Sequence, residues 1–163
     1  MVRRSNDDGL DERDRTLLEK LEEWGWFVIK VGAGRSEPAF AYSMGLYQTF
    51  GHPELIVFGL DFDTMHQLIN DVGARIQRGE CIRDGQVDEN LLDGYRCVFR
   101  SVNKRHYDQF LCYAGWYYRG WEFPALQLIW PDMSGKLPWE CGFDERYAAD
   151  QPMLFAASDS SKE

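Results

Sequence analysis

Residues 38–60 read PAFAYSMGLYQTFGHPELIVFGL, and two apolar runs within them set the strand pattern of the chain. Residues 40–46 and 54–60 are rich in aromatic and β-branched side chains, which favours β-strands. The turn between them, residues 51–53, contains Pro53, which fixes its own φ and favours an extended conformation in the residue before it. Two strands joined by a short connection predict an antiparallel pair at the centre of a sheet.

Around this pair, the sequence predicts three helices and three further strands. Apolar side chains recur every three or four positions in the helices, and they alternate or run continuously in the strands. The predicted helices are residues 11–24, a long helix capped by Asp61 or Asp63 and ended by Gly79, and a helix that follows Asn103 and reaches about Tyr118. The further strands are residues 26–31, 95–102 and 123–130, whereas residues 80–94 are rich in turn residues.

The order of these elements predicts a single α+β domain at residues 11–148, with a mainly antiparallel sheet covered on one face by about three helices. The length agrees, since 163 residues are enough for one domain with a substantial core. Residues 1–10 and 149–163 are polar, and both segments are predicted to be flexible ends.

Composition narrows the class of function. A net charge of −9 disfavours binding to nucleic acid phosphates and to anionic membranes. No apolar run approaches the roughly 18 residues of a membrane-spanning helix, and the N-terminal residues lack the apolar core of a signal peptide. The sequence therefore predicts a cytoplasmic protein that binds neither nucleic acid nor membrane, and it leaves the oligomeric state open.

Cofactor and metal signatures are not legible in the sequence. The four cysteines are widely spaced and form no CxxC pair, which is typical of free thiols in a reducing compartment. Residues 32–34 read Gly-Ala-Gly after a strand, but a second strand follows where a dinucleotide loop requires a helix. We therefore predict no cofactor and no metal.

Three residues are candidates for catalysis: His52 and Glu54 in the turn, and His106 in a locally basic segment. In this hypothesis the protein is an enzyme or a small-ligand binder, in which His52 is the acid or base and Glu54 orients it. Tyr42 and Asp132 would complete the pocket. The structural alternative is a turn histidine whose ring bonds nearby backbone, together with a solvated His106.

Aromatic residues near the C-terminus support a different hypothesis, in which the chain is an interaction protein. Trp116, Tyr117 and Tyr118 cannot share one helical face, because consecutive side chains lie about 100° apart. Some rings should therefore reach a binding surface, unless the sheet packs on both faces and buries them. The predicted binding residues are Tyr42, Trp116, Trp121, Trp130 and Asp132.

Four stretches carry a resemblance to a known family. They are GWFVI at 25–29, FAYSMGL at 40–46, GHPELIVFGL at 51–60, and FPALQLIWPD at 123–132 with Pro138-Trp139. In this order they resemble the bacterial domain-of-unknown-function family 4262, over roughly residues 20–145. The family has no established activity, so the resemblance implies a single cytosolic domain and leaves the chemistry open.

Two fold-level likenesses keep both functional hypotheses in view. The rhythm of residues 40–60 is similar to that of suppressor-of-fused-like domains, some of which are thought to be toxin-immunity proteins. It also resembles the strand pairs that border the flavin in flavin-reductase split barrels. We favour an interaction protein, immunity-like in character, over an enzyme or a flavin or other small-ligand binder with a pocket near His52 and Glu54.

Overall fold

A computed structural model describes residues 12–155, so the predicted flexible segment 1–10 and most of the predicted tail lie outside the described residues. The helices are α1 (Glu12–Trp24), α2 (Leu46–Phe50), α3 (Phe62–Gln77), α4 (Tyr107–Phe110) and α5 (Cys112–Tyr118). The strands are β1 (Phe27–Val31), β2 (Phe40–Met44), β3 (Glu54–Phe58), β4 (Val87–Leu92), β5 (Tyr95–Ser101) and β6 (Ala125–Ile129). Within this part of the chain, none of the helices has the length and apolarity needed to cross a membrane.

The six strands form one mixed sheet in the order β1-β2-β3-β6-β5-β4. Strands β1 to β3 make one antiparallel unit and β4 to β6 make a second. The two units join at the centre, where β3 and β6 run parallel. The predicted α+β domain with a mainly antiparallel sheet is confirmed, whereas the central parallel pair was not foreseen.

Helices cover both faces of the sheet, so the prediction that they cover one face is wrong. On one side α1, α4 and α5 pack against residues such as Ile29 and Phe58. On the other side α3 packs against residues such as Val28 and Val57. The reason lies in the central strands: β2, β3 and β6 are buried at every position, and a strand that is apolar on both faces requires cover on both.

Helix α3 follows the predicted pattern closely. Its apolar stripe is buried, and the Asp61 side chain accepts a hydrogen bond from the Thr64 backbone N–H, which caps the first turn. Gly73 lies on the buried side, where the ring of Trp26 packs so closely that a Cβ at this position would stand 2.7 Å from two ring atoms. This contact fixes α3 against the β1 side of the sheet.

Three local features differ from the prediction. The strand predicted at residues 40–46 ends at Met44, because Gly45 adopts a φ of 114° and starts the short helix α2. The helix predicted after Asn103 is broken at Leu111 into α4 and α5, although Asn103 does cap the preceding 3-10 turn Lys104–His106. Strand β4 occupies part of residues 80–94, for which the sequence predicts turns.

The chain beyond residue 149 continues to pack on the domain as far as it is described. Gln151 and Leu154 are buried. The side chain of Gln127 donates to the Pro152 carbonyl and accepts from the Leu154 N–H, so it holds this segment beside β6. Residues 156–163, the rest of the predicted tail, lie outside the described residues.

Candidate functional site

Glu54, the first residue of β3, is fully buried at the start of helix α2. Its carboxylate accepts hydrogen bonds from the Ser43 hydroxyl at 2.7 Å and from the Tyr118 hydroxyl. It also accepts three from backbone N–H groups at the start of the helix, at 3.0 to 3.2 Å: those of Gly45, Leu46 and Tyr47. We call these six residues the Glu54 cluster.

The Glu54 cluster suits an ionised carboxylate whose oxygens are occupied. Burial raises the pKa of Glu54, while the hydrogen bonds from Tyr118 and Ser43 act in the opposite direction. Burial also raises the pKa of the Tyr118 hydroxyl, which keeps its proton available for donation. Since a carboxylate offers about four lone-pair positions, five donors leave Glu54 as an anchor for α2 and β2.

His52 is also engaged on both ring nitrogens. Its Nδ1 lies 2.9 Å from the Pro53 carbonyl oxygen, and its Nε2 accepts the Ile82 backbone N–H at 2.9 Å. A carbonyl can only accept, so Nδ1 carries the proton and the ring is neutral. Burial lowers the pKa of His52, although the bond to Pro53 opposes this. The Glu54 carboxylate, which was expected to orient His52, points at α2 instead.

The remaining members of the predicted pocket are spread over the molecule. Glu54 begins β3 and pairs in register with Ala125, whereas Asp132 lies beyond the far end of β6. Because β3 and β6 are parallel, the two carboxylates lie at opposite ends of the sheet, about 20 Å apart at the rise of an extended chain. His106 lines a surface cleft with Glu37 and Gln109. The structure therefore does not bring the five predicted residues together.

Asp132 organises the loop that follows β6. Its Oδ1 accepts from the Ser134 N–H, the Ser134 hydroxyl and the Lys136 N–H, and its Oδ2 accepts from the Asp144 N–H, all at 2.8 to 2.9 Å. Although desolvation raises it, these hydrogen bonds lower the pKa of Asp132 to about 2. Asp132 thus bonds to three segments of its own loop.

Two of the four predicted aromatic binding residues pack inside the domain. Trp130 is buried and its Nε1 donates to the Phe58 carbonyl at 2.7 Å. Tyr42 is buried, and its hydroxyl accepts the Tyr113 backbone N–H at 2.9 Å. The ring of Trp121 covers Gly115 and is 38% exposed.

Trp116 lines a cleft at the surface. It is half-buried and meets the Tyr113 ring edge-on, with centroids 6.1 Å apart. Asp14, Cys112, Tyr113 and Trp116 line a cleft. Asp14 and Tyr113 are shared with a larger recess beside β1.

This larger recess is one side of a groove along β1, which among the described residues pairs with β2 alone. On the α1 side, a recess of about 640 Å³ is lined by Arg13, Asp14, Thr16, Leu17, Tyr113 and residues 27–30. On the α3 side, a recess of about 590 Å³ has Lys20, Glu23 and Trp24 on one wall and His66 and Asn70 on the other. We call them the α1 recess and the α3 recess, and together the β1 groove.

Trp24 is the functional candidate that sequence reasoning missed. The sequence places Leu17, Leu21 and Trp24 at helical spacing, which predicts that all three lie on one apolar face of α1. Those two leucines are buried, but Trp24 is 62% exposed at the last turn of the helix and lines the α3 recess. The signal was its position at the end of the helix beside Gly25, where the chain turns away.

Comparison with known families agrees with the order of motifs. The model of a family described as "Domain of unknown function (DUF4262)" matches residues 20–144. The chain belongs to this family. The match to DUF4262 contains all six strands, the Glu54 cluster and Asp132. No curated protein and no solved structure showed a match to the chain.

The DUF4262 fold supplies no metal centre within residues 12–155, where no cluster of His, Cys, Asp or Glu is suited to hold an ion. The four cysteines are free, and Cys97 is the one that is buried. Burial raises the pKa of the Cys97 thiol to about 12, so it remains protonated at neutral pH. The β1 groove is therefore the best candidate for a functional site in the part of the chain that the structure describes.

Proposed function

We propose that this domain is a protein-interaction module which binds an extended segment of another chain along the open edge of β1. The observation that carries the proposal is the contrast between the two edge strands of the sheet. An edge strand presents unpaired N–H and C=O groups, and proteins usually protect such an edge against pairing.

Strand β4, at one edge, has the features of a protected edge. Its sequence VDENLL carries two acidic residues, and its pairing with β5 shifts register between Asp88 and Leu92. Bulges and charges of this kind discourage a further strand from adding.

Strand β1, at the other edge, has fewer of these protections. Its sequence FVIKV has one charge, and its register with β2 is continuous from Phe27 to Val31. A regular, apolar edge of five residues is a template for strand addition. Since the same sheet protects β4 more than β1, the β1 edge is the more suitable for a partner.

The recesses beside β1 suit the side chains of an added strand. Side chains of a strand alternate between the two faces of a sheet. Those on one face of an added strand would therefore enter the α1 recess, which follows residues 27–30, and one on the other face would enter the α3 recess at the start of β1. Leu17 and Tyr113 give the first an apolar surface, and Trp24 and Trp26 do so in the second. The backbone pairs supply affinity and the recesses supply selectivity.

Two of the residues predicted from sequence contribute to this proposal. Trp116 extends the aromatic surface next to the α1 recess. Tyr42 supports it from below, since its hydroxyl holds the Tyr113 backbone. Trp24 would be the main anchor, because exposed Trp residues dominate binding energy at interfaces.

Selection of peptides from a displayed library, followed by amide hydrogen exchange, tests the proposal. Selected peptides should slow exchange in Phe27–Val31, and Trp24→Ala should weaken their binding about tenfold or more. Trp139→Ala is the matched control, because Trp139 is 47% exposed and packs against Phe155, away from β1. Protection confined to other strands, or equal loss in both variants, would refute the proposal.

A further inference from the structure

We infer that the segment which occupies the β1 groove belongs to a second copy of this chain, so that two β1 strands pair antiparallel about a twofold axis. The inference rests on the proposed function and names its partner. It follows from the arrangement of α1 and β1, whose surfaces are complementary to themselves under that symmetry.

Helix α1 and strand β1 share a midpoint. They run antiparallel, joined by the turn at Gly25, and their lengths are similar: about 19 Å for 13 helical residues and about 17 Å for five strand residues. Leu17, near the middle of the helix, lines the α1 recess together with the middle of the strand. A twofold axis through Ile29, the central residue of β1, therefore also relates the two α1 helices about their centres.

The spacing of the helices also fits. Leu17 and Leu21 pack in one cluster with Ile29 of β1 and Met44 of β2, so α1 lies over this strand pair. Strands lie about 4.8 Å apart, and a helix above the β1–β2 pair would be related to its copy at roughly twice that spacing. Packed helices lie about 8–10 Å apart. The same symmetry thus brings strands and helices to contact distance together.

Under this symmetry the exposed Trp24 lies beside the partner's α1. Trp24 is at the end of α1, and Arg13 and Thr16 are near its beginning. Antiparallel helices place the end of one against the beginning of the other. Each Trp24 would therefore pack beside the first turns of the partner's α1, twice per dimer.

Charges along the edge are complementary in the same arrangement. Glu23 would face the partner's Arg13, since both are five residues from the helix midpoint Leu18. Both side chains line the groove. In β1, Lys30 would face the partner's Val28, so the one charge of the strand would not meet its own copy. Opposite charges across an interface favour the matched register.

A charge-swap experiment on the full chain tests this partner. Arg13→Glu and Glu23→Arg each place like charges across both contacts of the homodimer, so each should weaken it about tenfold. Mixing the two variants should restore the dimer, because both contacts of the mixed pair then join opposite charges. The glutamate introduced at position 13 of one copy faces the arginine introduced at position 23 of the other, and the native Glu23 of the first copy faces the native Arg13 of the second. Sedimentation velocity measures the mass in each case. Both changes suit the helix dipole, and thermal unfolding should confirm that each variant remains folded.

The outcomes separate the inference from the proposed function. A wild-type dimer that each single variant weakens and the mixture restores supports the second copy. A dimer insensitive to both variants, or a mixture that stays weak, overturns it. A monomer overturns it as well: the proposed function stands if selected peptides still protect β1 with dependence on Trp24, and falls if they do not.

Discussion

The Glu54 cluster and the β1 groove lie on either side of strand β2, and they use their polar groups in opposite ways. In the cluster every oxygen of Glu54 accepts hydrogen bonds, and the Ser43 hydroxyl that donates to it also accepts the Leu55 N–H. Along the groove, the outer backbone groups of β1 have no neighbouring strand within the described chain, and Trp24 is mostly exposed.

Reactive residue types do not by themselves mark a functional site. A buried carboxylate is stable only when donors surround it, so its burial requires the bonds that occupy its lone pairs. The residues around the groove are an edge strand and the last turn of a helix, which carry no catalytic signature. At the groove, the groups available to a partner are the outer backbone N–H and C=O groups of β1, which pair with no strand within the described residues, and the exposed ring of Trp24.

Removal of the Glu54 carboxylate should have the largest effect on stability, because it takes the shared acceptor out of the Glu54 cluster. Glu54→Ala leaves three backbone N–H groups and the hydroxyls of Ser43 and Tyr118 without their acceptor. We expect the free energy of unfolding to fall by about 3–5 kcal/mol, as measured by urea denaturation. Glu19→Ala, at an exposed site on α1, should change it by less than about 0.5 kcal/mol. A similar loss in both variants would show that the cluster is not the anchor described here.

The sequence predicts the fold where its signals are local. The apolar spacing of α3 and the cap at Asp61 lie within one helix, and both are confirmed. Helix α2 was missed because its first turn is held by Glu54, eight or nine residues away in the chain. Strand β4 was missed because its one buried residue is Asp88, which is polar and is buried beside Arg75 at 2.6 Å.

The candidate site was harder to predict, for a related reason. His52 and Glu54 were chosen by residue type, and whether their polar atoms are occupied depends on Ile82 and Tyr118, which are remote in sequence. The β1 groove depends on which strand lies at the edge. That is decided by the parallel pairing of β3 with β6, a contact between segments about 70 residues apart. No periodicity within a strand carries this information.

A substitution behind Trp26, which lines the α3 recess, should have a smaller effect on stability. Gly73→Ala would place a methyl group 2.7 Å from the ring of Trp26, whose Nε1 donates to Asn70. Because the ring must shift, we expect a loss of about 1–3 kcal/mol in urea denaturation and a change in tryptophan fluorescence. Gly32→Ala is the control, since a methyl group at that position would meet no atom of the surrounding structure within 4 Å. An unchanged Gly73→Ala variant would mean that the wall yields easily.

His52 should make the stability of the folded protein depend on pH. Its pKa in the folded state is lowered from 6.5 by burial, so below that pH the unfolded chain binds the proton more readily than the folded one. The contribution of the neutral His52 ring to the free energy of unfolding should therefore be fully present above pH 6.5. It should be lost as the pH decreases, by up to about 1.4 kcal/mol per pH unit. Unfolding curves from about pH 7.5 to 5 measure this slope. His52→Gln should lose the His52 part of the slope, and parallel curves for the two proteins would contradict the neutral ring.

A substitution on the open edge of β1 should have the smallest effect on folding, and it tests directly whether this edge admits a further strand. Lys30 is the one charged residue of β1 and is exposed, so Lys30→Thr should change the free energy of unfolding by less than about 0.5 kcal/mol. It should nevertheless promote association, because a lysine on an edge strand opposes the addition of further strands. Light scattering at increasing protein concentration measures the difference. Glu89→Thr makes the same kind of change on the opposite edge strand β4, where the register shift already discourages pairing. Equal association of the two variants would mean that the sheet does not distinguish its edges, and the contrast on which the proposed function rests would be lost.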